Sequence, residues 1–203
     1  MAGKKLKWSR ILLVLAIVLL LALVALSIVI YSQKSQAEFR YGELVKIVAA
    51  LHQASGIGVL DSTHDHAAFK VYTNGNQLDL WKPENEELNL FTHMHVDDPD
   101  NRDLIHIHAT GITLEMFFRT LGMELSQSCI NISGQAYCTN QSNHLRYFVN
   151  NVPNFEGPDY RLQDLDRILI TYGVLNSTQI VEQLKSVGDN ACIESHNCPD
   201  ITS

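Results

Sequence analysis

Residues 104–118 read LIHIHATGITLEMFF, and the change of period inside them decides the fold. Leu104, His106 and His108 alternate with Ile105, Ile107 and Ala109, the two-residue period of a strand with two unlike faces. From Thr113 the period lengthens. Leu114, Phe117, Phe118 and Leu121 stand at i, i+3, i+4 and i+7, with Thr113 placed to cap the start of a helix. Gly111 ends the strand and Gly122 stops the helix. At this spacing the two phenylalanines are core side chains, not an aromatic binding box.

Upstream, residues 69–72 and 77–80 flank Thr73-Asn74-Gly75-Asn76, and an Asn-Gly pair between two apolar runs predicts a hairpin. Residues 82–89 read as a polar, acidic loop, residues 91–96 as a short strand, and residues 97–101 as a turn cluster. Downstream, residues 145–149 and 167–172 alternate as strands. Asn150-Asn151 and Asp164-Leu165-Asp166 mark turns between them, and a last short helix runs from Asn176 or Ser177 to about Val187.

The N-terminus is of a different kind. Lys4, Lys5, Lys7 and Arg10 precede residues 11–30, twenty residues without a charge. As a helix that stretch spans about 30 Å, the thickness of a bilayer's hydrocarbon core, and Trp8 and Tyr31 sit at its ends where amphipathic aromatics favour the interface. A cleaved signal peptide has a shorter apolar core, so the reading is a retained single-pass anchor with its basic end inside and the rest extracytoplasmic. Residues 37–54 repeat Leu44, Ile47, Val48 and Leu51 at helical spacing and read as a stalk. The expected organisation is a basic tail at 1–10, the transmembrane anchor at 11–30, a juxtamembrane helix at 31–58, a sheet domain at 59–175, and a helix with a disulfide tail at 176–203.

Without the four N-terminal bases, 11 Lys and Arg face 22 Asp and Glu, a formal charge of −11. That balance argues against nucleic acid as a partner. All four cysteines lie beyond the anchor, and in an oxidising compartment the local pairing is Cys129–Cys138 and Cys192–Cys198, although four cysteines allow three connectivities. Neither spacing is the C-x-x-C of a zinc site. Glycosylation sequons begin at Asn131, Asn140 and Asn176.

The nine histidines are the chemical signal. Six of them form three His-x-His pairs, His64/His66, His93/His95 and His106/His108, where chance placement gives fewer than one such pair. Residues two apart on a strand share a face, so each pair presents two imidazoles together. Neutral imidazole suits Zn²⁺, Cu²⁺ and Ni²⁺, and Asp97 or Asp98 would add an oxygen ligand. Zinc or copper is the expected ion. Met94 points to the opposite strand face and is core. His52, His144 and His196 stand apart and read as surface or structural side chains.

The order hairpin, strand, helix, two strands is the ββαββ order of a β-grasp domain. Residues 147–151 (YFVNN) followed by residues 160–170 (YRLQDLDRILI) resemble the closing motif of the soluble-ligand-binding type of β-grasp domain, with Asn151 and Leu165 where that pattern favours glycine. Residues 64–75 and 105–118 are similar to segments of uncharacterised small membrane-anchored proteins common in archaea, H-x-H-x-x-F-K-V-Y-x-N-G and I-H-x-H-A-T-G-x-T-L-x-x-F-F. With the last strands the likeness covers about 110 residues; it implies an α+β, β-grasp-like domain on a membrane anchor and a shared role for the paired histidines, and it implies no reaction.

Residues 92–98 (THMHVDD) also resemble the T-H-x-H-x-D-H motif of metallo-β-lactamase-like hydrolases. Asp98 takes the place of the last histidine, however, and the outer part is too short for their sandwich. With no other catalytic constellation, the expectation is a membrane-anchored extracytoplasmic protein that binds zinc or copper, more a binder than an enzyme. The competing expectation is a structural or interaction subunit of an envelope or membrane complex, with a membrane-protein or envelope partner.

Overall fold

The structure is a computed structural model that describes residues 2–97, 99 and 102–198, so Asp98 lies outside the described residues. It divides into two units, residues 1–55 and 56–203. The first is one uninterrupted helix, α1 (Ala2–Ser55). The apolar stretch at 11–30 and the helical repeat at 37–54, expected to continue from it or to pack on the domain, lie on this one helix. The helix is about 80 Å long at 1.5 Å per residue, and by length and composition it is apolar enough to cross a membrane.

The second unit is mixed α and β. Its elements run β1 (Asp65–Thr73), β2 (Asn76–Gln77), β3 (Thr92–His93), β4 (Leu104–Ile107), α2 (Leu114–Thr120), β5 (Glu124–Leu125), β6 (Cys129–Ile132) and β7 (Gln135–Cys138). Then follow β8 (His144–Val149), β9 (Val152–Asn154), β10 (Arg167–Gly173), α3 (Ser177–Ser186) and α4 (Ala191–Glu194). The main sheet has the order β3-β4-β1-β10-β8-β9, with β2 on the same edge of β1 as β4. Among the named strands of the described residues, only β1 and β10 run parallel, from Ala68 opposite Arg167 to Thr73 opposite Tyr172. β10 is continuously apolar from Ile168 to Ile170 and buried from Ile168 to Gly173, and β1 is buried from His66 to Phe69 and at Val71, as the central strands of a sheet covered on both faces are.

One face of the sheet carries Ala67, Phe69, Ile105, Ile107, Ile168 and Ile170, on which α2 lays Leu114, Phe117 and Phe118. Thr113 caps α2 by accepting the Met116 N–H at 3.3 Å. Gly111 has φ +84°, and a Cβ there would meet the Gly56 carbonyl oxygen at 2.2 Å, so only glycine lets β4 turn into α2 at this point. The opposite face holds Ala68, Leu104, Phe148 and Leu169 under Val187 and Ala191, with Ile180 and Leu184 of α3 packed against them. β5, β6 and β7 form a separate three-stranded sheet.

Three elements are shorter than the sequence predicts. The second hairpin strand ends at Gln77, because Leu80 leaves the ladder to bury itself in the core. The strand expected over 91–96 is reduced to Thr92–His93, after which Met94 makes an isolated bridge with Glu86. The strand at 104–109 ends at Ile107. Met94 is fully buried in the core, on the face away from the histidines, as its position on the strand requires.

Candidate metal centre

Register brings the histidine pairs together. His66 on β1 lies directly opposite His106 on β4, and His106 lies opposite His93 on β3. Three adjacent strands thus place one imidazole each in a row across the sheet, and strand alternation puts His64 and His108 beside that row. Ring centroids are 4.6 Å apart for His66 and His106, 4.6 Å for His64 and His108, 4.9 Å for His93 and His108, and 4.5 Å for His95 and His106. All six imidazoles line one cavity of about 530 Å³, together with Glu87, Glu194 and His196.

Groups behind the rings fix their orientation. The His93 Nδ1–H donates to the Asn89 carbonyl at 2.8 Å, because a carbonyl can only accept. His95 Nδ1 lies 3.1 Å from a Glu86 carboxylate oxygen and takes the same donor role. His66 Nδ1 is 2.8 Å from the Ser195 hydroxyl, which itself donates to Asp164 Oδ1 at 2.6 Å, leaving the hydroxyl to accept from the ring. Each of these three histidines is thereby held as the Nδ1–H tautomer, with the Nε2 lone pair free. Metal-ligating histidines are oriented by this kind of outer support. Asp164 also accepts the His66 backbone N–H at 3.1 Å.

His106 stands at the centre. Its side chain is 5 % exposed, and its Nε2 has no hydrogen-bond partner among the described residues. A buried ring nitrogen without a partner is costly unless something supplies one. Burial, reinforced by His66, His95, His93 and His108, pushes its pKa down to about 2. Burial and His64 lower His66 to about 4. His93 and His108 are also lowered, chiefly by burial. These four rings are therefore held neutral, the form in which imidazole binds a metal.

The ligand atoms of four sets lie within 4.8 Å of one another: His64, His66 and His106; His93, His106 and His108; Glu87, His93 and His95; and Glu86, His95 and Asp97. All six paired histidines fall in such sets, and Asp97 is exposed at the edge beside His95. His196, read from sequence as an isolated side chain, lies in the cavity wall. Sequence reasoning also passed over Glu86, Glu87, Asp164, Glu194 and Ser195. Glu86 and Glu87 sit in an aperiodic acidic loop, and Ser195 meets His66 across 129 residues of chain. The only sequence signal for Glu86 and Glu87 is their nearness to His93.

Cys129 and Cys138 face each other across β6 and β7 with sulfurs bonded, and Cys192 and Cys198 are bonded around the loop that follows α4. That second loop contains Glu194, Ser195 and His196, so it closes the histidine cavity on one side. Among the sequon asparagines, Asn140 and Asn176 are exposed and Asn131 is half-buried in β6. The Asn176 side chain caps α3, and the Asn131 amide donates to Glu124.

No protein-family model, curated protein or solved structure matches the chain.

Proposed function

We propose that this is a membrane-anchored protein whose sheet domain lies outside the cytoplasm and binds zinc or copper through its histidine cluster. The observation that carries the reading is His106. It is a buried imidazole whose Nε2 has no hydrogen-bond partner among the described residues, surrounded by five further paired imidazoles, and a metal ion would satisfy that nitrogen. The outer carboxylates and carbonyl that fix His66, His93 and His95 are the expected support for such ligands.

The remaining features fit this reading. The parallel pair β1 and β10 at the centre, flanked by β4 and β8 with α2 between the two halves of the chain, is the arrangement we assign to the β-grasp class. It accords with a kinship to the archaeal anchored proteins. The basic N-terminus and the two disulfides support an outward orientation in an oxidising compartment.

The test uses the full chain in detergent micelles, with elemental analysis followed by titration with Zn²⁺ and Cu²⁺. At least one equivalent of metal is expected, with His106→Ala weakening binding at least tenfold and His144→Ala leaving it unchanged. Less than about a tenth of an equivalent and no binding tighter than roughly 10 μM, a weak affinity, would overturn the reading and leave the histidines as scaffolding of an interaction subunit.

A further inference from the structure

Resting on that reading, we propose that the cluster holds two transition-metal ions side by side. One is bound on the β1 side by His64, His66 and His106, the other on the β3 side by His93, His95 and Glu87. The two ligand sets share no residue, and each converges within 4.8 Å; the set His93, His106 and His108 takes one residue from each and marks where the two halves meet at His108. Among the described residues, no convergent set joins a β1 imidazole to a β3 imidazole. The reason is spacing: β4 stands between the two strands, which puts β1 and β3 roughly 9–10 Å apart.

Ligand number points the same way. Six imidazoles and a carboxylate exceed the four donors of an ordinary zinc site. The surplus is not idle surface, because each half has its own built support. On the β1 side the Asp164 carboxylate holds Ser195, and Ser195 holds His66, at 2.6 and 2.8 Å. On the β3 side the Glu86 carboxylate holds His95 at 3.1 Å, and the Asn89 carbonyl holds His93 at 2.8 Å. A single centre would need only one of these frameworks. His108 lies between the halves, its ring 4.6 Å from His64 and 4.9 Å from His93, where it completes the fourth position of either ion.

Two divalent ions in one cavity require negative charge, and it is present on both sides. Glu87 ligates directly, Glu86 lies one contact behind the His95 ring, and Asp164 lies behind His66 through Ser195. Glu87 is held at φ +39°, in the left-handed region that non-glycine residues seldom adopt, and its amide donates to the Met94 carbonyl at 3.1 Å. That turn brings its carboxylate back onto His93 and His95.

Equilibrium dialysis of the full chain in detergent against Zn²⁺ alone tests the inference. The natural chain is expected to hold two equivalents, His64→Ala/His66→Ala one, and His93→Ala/Glu87→Gln one. Because His66 and His93 are buried, the exposed single changes His64→Ala and Glu87→Gln serve beside them. Each is expected to weaken one of two binding phases at least tenfold and spare the other. With Cu²⁺, the natural chain is expected to show a spin-coupled resonance spectrum and each half-site variant the spectrum of an isolated ion. One equivalent in the natural chain, lost in both double variants, would mean a single composite centre and overturn the inference while the metal-binding reading stands. Loss of both ions in either double variant would overturn the separate ligand sets. No metal in the natural chain would overturn both.

Discussion

Among the histidines, His106 and His66 are those whose protonation the fold opposes most strongly, and the direction of their effect is set by burial. In the unfolded chain an imidazole titrates near 6.5. In the fold, burial first and the neighbouring imidazoles next lower His106 to about 2, and burial and His64 lower His66 to about 4. The folded state thus refuses protons that the unfolded state accepts. Stability of the metal-free protein is full above about pH 6.5. It is lost as pH falls from there toward 4 for His66, and further toward 2 for His106. Each such group contributes up to about 1.4 kcal/mol per pH unit inside its window. Between pH 6 and pH 5 the pair should cost roughly 2 kcal/mol, read as a lower denaturant midpoint of the domain in the metal-free full chain. His66→Gln/His106→Gln should flatten that slope. A midpoint independent of pH in the natural chain would show that the two rings are not held neutral. The same burial keeps both rings neutral well below pH 6.5, so, on the metal-binding proposal, the unperturbed histidine value is a poor guide to where these two would release an ion.

At the scale of elements, what was legible in the sequence is what depends on local period. The strands β4, β8 and β10 and the helices α2 and α3 follow from the alternation within 104–109, 145–149 and 167–172, the spacing of Phe117 and Phe118, and the start of the last helix at Asn176 or Ser177, where the structure adds a capping box with Gln179. The turn positions resembling a glycine pattern are also real constraints, since Asn151 and Leu165 both have φ +66° without being glycine. Asn150 closes the β8–β9 turn, and its side chain donates to Asp166 and accepts the Arg167 N–H. What was not legible is long-range. The shortness of β3 depends on Glu86 bridging Met94, and the closure of the site depends on the Cys192–Cys198 loop returning to His66. No period in either segment announces those contacts. The two disulfides should accordingly differ in consequence. Each closes a short loop and should stabilise its own segment by roughly 2–3 kcal/mol. Only the Cys192–Cys198 loop carries Glu194, Ser195 and His196 to the cavity, however. Cys192→Ser/Cys198→Ser is therefore expected to weaken Zn²⁺ binding about tenfold or more, whereas Cys129→Ser/Cys138→Ser should change it less than threefold. Equal effects in a titration of the two variants would separate the C-terminal loop from the site.

For the whole molecule, charge and length set the arrangement. The apolar stretch at 11–30 is preceded by four bases and followed by a chain of formal charge −11, so its two flanks differ sharply in sign. Basic flanks favour the cytoplasmic side, and the stretch is too long for the usual core of a cleaved signal. α1 continues unbroken to Ser55, about 25 residues beyond the apolar stretch. A rigid helix of that length is roughly 35–40 Å. It ends where the folded unit begins, at Gly56, whose φ of +69° stops the helix. Both disulfides and the histidine cluster lie beyond that point, on the side of the apolar stretch away from the four bases. The expected outcome is that the mature chain retains residues 11–30, crosses the membrane once, and carries its C-terminus outside. Intact-mass measurement of membrane-extracted protein should therefore give the uncleaved chain, allowing for removal of the initiator methionine. Protease added to sealed cells or right-side-out vesicles should digest the sheet domain and leave a fragment containing the basic tail and the anchor. A mature chain that begins after about residue 30, or a sheet domain protected until the membrane is opened, would refute this arrangement. Because Zn²⁺ binding is measured on the same full chain in detergent, neither result would bear on whether the histidine cluster binds metal.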